Sequence, residues 1–192
     1  MAYEVKQLSS ELSTTFVEYL SNIDFEYEPH WATCFCRYYY LDCSTEEWKN
    51  RSGETNSNEA LMEIQNGRMH GYLAFDGDKC IGWCNASDAN HLSRIKNDLY
   101  SYCKDKKVGC TICFVIHPEY RGQGVARLIL KKVISDFKDK GYEAMIALPF
   151  ENRQAPQKQY RGTKNMYEQF GYKEIDHENT VSVMWLNLKD SK

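Results

Sequence analysis

The sequence predicts an α/β protein, with a mixed, mostly antiparallel sheet of about seven strands flanked by helices. Three observations carry this. The run 108–116, VGCTICFVI, is apolar and β-branched without alternation, as expected of a strand covered on both faces. An amphipathic stretch follows, from Gln123 to about Lys140, and then a second apolar run, YEAMIALPF. Strand, helix and strand in that order make one parallel crossover. Elsewhere, short β-prone runs alternate with turn signals, which suits antiparallel neighbours.

Taken in order, residues 3–8 read as a short strand. SSELSTTFVEYLSNI reads as a helix, with Leu12, Phe16 and Leu20 on one face. TCFCRYYYLD is aromatic and β-prone. Ser44 and Glu47 have the spacing of a capping box and open a short helix. NEALMEIQNG is a helix stopped at Asn66-Gly67. GYLAFDGDKCIGWCN is a hairpin, turned at Asp76-Gly77. Residues 88–107 read as a polar loop with a helical turn near Leu92–Leu99. In the long helix, Val125, Ile129, Val133 and Phe137 follow at i+4 and Gly141 ends the pattern. Thr163 to Phe170 is a short helix closed by Gly171, and strands near 172–176 and 181–188 finish the chain.

The chain has 192 residues, which bounds it to one domain, read here as Tyr3 to Lys189. A net charge of −3 argues against a general nucleic-acid or membrane-surface binder. No run approaches the ~20 apolar residues of a membrane helix. The first residues lack the basic and apolar regions of a secretory signal, so a cytoplasmic protein is expected. On that reading the eight cysteines are reduced thiols. Cys110 and Cys113 fall on opposite faces of a regular strand, so buried thiols account for them better than a metal centre, and no metal is expected.

The informative stretch is HPEYRGQGVARLIL, 117–130, at the strand-to-helix junction. Helix N-termini carry unpaired N–H groups and a positive dipole, and glycines let an anion come close. From His117 to Lys132 there are four cations, Arg121, Arg127, Lys131 and Lys132, against the single acid Glu119. A bare tight turn would explain the glycines but not this coincidence of strand, helix and charge. A dinucleotide fingerprint would need a small residue at Arg127, and a phosphate loop of the Gly-Lys-Ser/Thr type is absent.

Arg121-x-x-Gly124-x-Ala126 resembles the Arg/Gln-x-x-Gly-x-Gly/Ala motif of the GNAT superfamily of acetyl-CoA-dependent N-acetyltransferases. Ile116-His117-Pro118 resembles that family's Val-x-Pro lead-in, and Tyr167 to Tyr172 its Tyr-x-x-x-Gly-Phe element, with Tyr172 for Phe. The resemblance implies a GNAT-type sheet splayed at its central parallel pair. It implies acetyl-CoA as cosubstrate, with the pyrophosphate held by Arg121, Gly122, Gln123, Gly124, Val125, Ala126 and Arg127. It implies pantetheine pairing around Phe114, Val115 and Ile116, one of whose amides polarises the thioester carbonyl. Tyr167 is then the candidate acid for the leaving thiolate, with Tyr160 as a rival.

No carboxylate stands on the strand before the loop; Glu151, His70, a water chain or no base at all remain open. Trp31, Tyr38, Tyr39, Tyr40 and Trp83 are candidates for an acceptor pocket or for core. The acidic balance outside the loop leans toward a cationic amine. The expected activity is direct acetyl transfer to a primary amine of a small molecule or peptide. The alternative is a catalytically silent acyl-CoA-binding module of the same fold. A homodimer is compatible with either, and neither nucleic acid nor membrane is an expected partner.

Overall fold

The computed structural model describes residues 3–26, 28–151 and 159–189. Seven strands form one sheet: β1 (Glu4–Gln7), β2 (Tyr72–Asp76), β3 (Lys79–Asp88), β4 (Val108–Ile116), β5 (Ala144–Ala147), β6 (Lys173–Glu178) and β7 (Val181–Asn187). Their spatial order is β1-β2-β3-β4-β5-β7-β6. Every neighbouring pair is antiparallel except β4 and β5. This is the mixed sheet with one parallel crossover that the residue pattern predicts.

Among the described residues, six α-helices cover it: α1 (Ser13–Ser21), α2 (Thr45–Lys49), α3 (Gly53–Gln65), α4 (Lys96–Cys103), α5 (Val125–Asp139) and α6 (Lys164–Gln169). The long helix α5 forms the β4–β5 crossover. Its buried side chains are Val125, Ile129, Leu130, Val133 and Phe137, the apolar stripe of the sequence. They pack with Tyr72, Ala74, Phe114 and Met145 on one face of the sheet. Helices α1 and α3 cover the opposite face over Leu73, Phe75 and Trp83. Helix α4 extends that layer over Val108, Cys110, Ile112 and Ile146. Alternation along β2 and β5 sends successive side chains to opposite layers, as a pleated strand requires. No helix is long and apolar enough to cross a membrane among the described residues.

Two local expectations change. The aromatic run 33–42 forms no strand. It follows the 3-10 turn Pro29–Thr33 and contains a second one, Arg37–Tyr39. The backbone is left-handed at Phe35 (φ 43°) and Cys36 (φ 53°). Tyr38 packs on Trp48, Tyr39 enters the core, and the Tyr40 hydroxyl donates to Asn85 Oδ1 at 3.1 Å. Three successive side chains held in three directions fit a tight turn and not a two-faced strand. The polar stretch 88–107 contains a full helix, α4, where only a turn was expected. Leu99 and Cys103 are its buried residues, and Leu92 and Ile95 just ahead of it continue the same apolar spacing of three and four.

The capping box is present. Ser44 Oγ accepts from Glu47 N at 3.1 Å, and Glu47 Oε2 accepts from Ser44 N at 2.7 Å. Asn66 and Gly67 end α3, with Gly67 at φ 68°.

Candidate active site

The site begins at the glycine corner between β4 and α5. Gly122 (φ 76°) and Gly124 (φ 83°) both have left-handed backbone that other residues adopt only with strain. A methyl group added at either would meet no protein atom within 4 Å. The glycines therefore serve the backbone path, and the space in front of them is open. Gly124 is the N-cap of α5 and supplies no side-chain cap, and the first turn of the helix holds no acidic residue. Its first N–H groups have no partner within the helix and carry the positive end of the dipole. Arg121 and Arg127 stand exposed on either side. Arg121 Nε donates to the Ile116 carbonyl at 3.2 Å, and Arg127 Nε to Gln169 Oε1 at 3.0 Å. The corner can hold a phosphate group from several sides.

The strand feeding this corner is splayed from its neighbour. β4 pairs with β5 from Val108↔Ala144 to Thr111↔Ala147. Against β3, its register slips by one residue: Asn85 faces Cys113 while Ala86 faces Thr111. The extra residue, Ile112, is a bulge, which bends a strand and breaks its ladder locally. Beyond it, β4 runs free of β5 over Phe114, Val115 and Ile116. In this conformation those groups have partners within the chain. Phe114 N–H donates to the Tyr160 carbonyl, and the Val115 carbonyl accepts from the Tyr19 hydroxyl at 2.9 Å.

A cavity of about 1180 Å³ joins the glycine corner, the free end of β4 and an aromatic wall. Small-molecule pockets span roughly 300–1,000 Å³, so this cavity lies just past the large end of that range. Trp31, Tyr39, Trp48, Phe150 and Tyr160 contribute rings to the wall. Among the described residues that line it there is no aspartate or glutamate, whereas Lys49, Arg51, Arg121, Arg127 and Arg161 all do. The acidic balance of the whole chain is therefore not repeated in the cavity. Trp83 and Tyr40 do not line it. Trp83 is fully buried, its ring 4.6 Å from Phe16. Nothing in the sequence marks Arg161, Trp48 or Phe150 as lining a cavity: Arg161 stands in a segment without a spacing pattern, and Trp48 and Phe150 belong to elements whose pattern speaks only of helix and strand.

Tyr167 is fully buried and does not line the cavity. Its hydroxyl donates to the Arg161 carbonyl at 2.8 Å and lies 3.1 Å from Thr111 Oγ1. Burial raises its phenol well above the ordinary value of 10.0. A methyl group added at Gly162 would come within 3.0 Å of the Tyr167 ring, so one backbone layer separates that ring from the cavity. Tyr160 is at the wall, its hydroxyl 3.3 Å from that of Tyr39.

Of the candidate bases, Glu151 lies near Lys164 (3.6 Å) and His177 (3.6 Å), away from the cavity, and His70 stacks on His91. Cys113 lines the cavity with its sulfur 3.7 Å from that of Cys36, and all eight cysteines are free thiols. Among the described residues, the half-buried Glu151 and the exposed Glu174 and His177 have the spacing of metal ligands. Lys164 sits among them, 2.6 Å from Glu174, and supplies the positive charge there.

The model of the acetyltransferase (GNAT) family matches residues 24–172. The chain belongs to the GNAT acetyltransferase family. Solved structures of the fold agree across nearly the whole length. A GNAT acetyltransferase from Listeria monocytogenes superposes with a TM-score of 0.63 at 8% identity, covering 96% of this chain and 94% of that one. The PaiA N-acetyltransferase of Thermoplasma acidophilum, solved with coenzyme A, gives 0.56 at 18% identity, covering 97% and 99%. The polyamine N-acetyltransferase of Drosophila melanogaster gives 0.57 at 11% identity, covering 97% and 100%. No curated protein matches at the level of sequence.

Proposed function

We propose that this GNAT protein binds acetyl-CoA and transfers its acetyl group directly to a primary amine in a ternary complex. The observation that carries the reading is the open glycine corner at the N-terminus of α5, continuous with the free end of β4 through one cavity. The pyrophosphate lies on the amides from Gly122 to Arg127, flanked by Arg121 and Arg127. The pantetheine arm runs along Phe114, Val115 and Ile116, taking the place of the Tyr160 carbonyl on the Phe114 amide. The neutral amine nitrogen bonds to the thioester carbonyl carbon, the C–S bond breaks, and the sulfur takes a proton. The nitrogen gives up one proton in return, so the protons balance.

The lining favours this chemistry without a strong base. A cavity with cations and no carboxylate disfavours an ammonium group, so an acceptor amine bound there loses its proton more readily than in water. Tyr160, the phenol at the wall, is our assignment for the proton donor, ahead of Tyr167 behind it. The test is thermal unfolding with acetyl-CoA, with NADH and ATP as controls. Saturating acetyl-CoA at ~100 times its dissociation constant adds roughly 2.7 kcal/mol, a shift of several degrees. Arg127→Glu introduces an acidic residue where a helix N-terminus tolerates it, yet sets it against the pyrophosphate. It is expected to weaken acetyl-CoA at least tenfold. An unchanged melting temperature with acetyl-CoA in the parent protein would remove the reading.

A further inference from the structure

Arg161 is a cation of the cavity outside the glycine corner, in the connection between β5 and α6; of the others there, Arg51 is paired with Glu59. It lines the cavity beside Tyr39, Phe150 and Tyr160. Its guanidinium carbon lies 4.2 Å from the Phe150 ring centre, 5.6 Å from that of Tyr39 and 5.9 Å from that of Tyr160. Its hydrogen bonds all go to neutral oxygens. Nε and one terminal nitrogen donate to the Tyr39 hydroxyl at 3.1 and 3.0 Å, and the other terminal nitrogen reaches the Leu148 carbonyl at 3.5 Å. Tyr39 does not supply a negative charge in return: burial raises its phenol well above the ordinary value, against the opposing pull of Arg161. Three of the five N–H groups of a guanidinium are used in these bonds, and the Tyr160 hydroxyl is a further neutral partner beside it. Among the described residues, no carboxylate is paired with it.

A half-buried arginine with donors to spare and no counter-charge, in a cavity without acidic lining, is a receptor for an anion. We propose that Arg161 binds the carboxylate of the acceptor, and that the acceptor is an α-amino acid with an apolar or aromatic side chain. This rests on the acetyltransferase reading. The planar fork of arginine matches a carboxylate, which a lysine in its place would meet only as a point charge. The neighbouring residue, Tyr160, contacts the Phe114 amide at the splay. In an α-amino acid the amine is two bonds from the carboxyl carbon, so a carboxylate on Arg161 delivers the amine to the end of the cavity where β4 is free. The rings of Trp31, Phe150 and Tyr160 then stand beside the side chain; Trp31 and Tyr160 are already in edge contact at 4.8 Å. A polyamine, the acceptor in the name of the Drosophila structure, finds no acidic partner on this lining.

The experiment measures CoA release for phenylalanine and methionine against phenylalaninamide, phenethylamine and spermidine, with acetyl-CoA binding followed by thermal shift in the same samples. The expected result is a kcat/KM at least tenfold higher for phenylalanine than for phenylalaninamide or phenethylamine, with spermidine lower still. In Arg161→Gln the ratio of phenylalanine to phenylalaninamide falls toward one, mainly through KM; Arg161→Lys retains part of it. Equal or better turnover of phenethylamine or spermidine by the parent protein overturns the proposal. So does a ratio that survives Arg161→Gln. If acetyl-CoA binds and neither amino acid is acetylated, the proposal falls alone. If acetyl-CoA does not bind, the acetyltransferase reading falls with it.

Discussion

At the scale of single residues, the site turns on which phenol reaches the sulfur. Tyr167 belongs to the motif, yet its hydroxyl is held between Thr111 and the Arg161 carbonyl, behind Gly162. Tyr160 stands at the wall. With Tyr160 as donor, Tyr160→Phe lowers kcat by about 10²-fold or more, within the range of a general acid, and leaves acetyl-CoA binding in place. Tyr167→Phe then costs stability, about 1 kcal/mol for a lost buried hydrogen bond, and changes kcat little. The reverse pattern in single-turnover acetylation would return the role to Tyr167. It would also mean that the chain at Arg161–Gly162 moves aside when acetyl-CoA binds.

At the scale of elements, α5 is what aims the glycine corner, and its seat is a close approach to β4. A methyl group at Gly109 would lie 2.2 Å from Phe137 and 2.6 Å from Met145. Gly109 is thus the place where the last turns of α5 settle onto the sheet. Gly109→Ala overpacks that contact and is expected to cost about 1–3 kcal/mol, read as a lower denaturant midpoint with unchanged slope. An unaltered midpoint would show that Phe137 repacks freely. Bulge and splay belong to this scale too. Ile112 is an ordinary strand residue, and only the pairing of β4 with β3 and β5 makes it an extra one.

At the scale of the whole molecule, acid stability depends on carboxylates held by cations. Hydrogen bonding from Arg51 puts Glu59 below the ordinary 4.5. Arg68 does the same for Glu63, and Lys189 for Glu143. A carboxyl whose folded value is depressed takes up its proton more readily in the unfolded chain. Its contribution is present above 4.5 and is lost as pH falls through the folded value. The melting temperature should therefore hold near neutrality and fall on acidification below that point. Glu59 also neutralises Arg37, which is only 6% exposed. Glu59→Gln leaves that cation unpaired and is expected to destabilise by about 1–3 kcal/mol at neutral pH. The gap from the parent should narrow in acid, where Glu59 is itself protonated. A gap that stays constant down to pH 3 would exclude the ionic explanation.

The sequence by itself determined what depends on neighbours in the chain. Alternation and i+4 spacing mark β2, β3 and α5. The spacing of Ser44 and Glu47 marks a cap, and Gly122 and Gly124 beside Arg121 mark an open glycine corner at a helix N-terminus. These are local geometries, set by backbone sterics and by one helix dipole, so the residues that make them lie side by side. The tertiary structure alone decided the rest. The run of tyrosines at 38–40 looks like a strand until three separate parts of the fold claim its side chains. Tyr167 sits inside a recognisable motif, but whether its hydroxyl faces the cavity depends on where Gly162 lies. Arg161 carries no signal in the sequence. Its significance comes from what surrounds it among the described residues, three aromatic rings and no carboxylate, with Tyr39 brought from more than a hundred residues away. Charge counted along the chain averages over the surface, whereas a bound amine responds only to the charges that the fold turns inward.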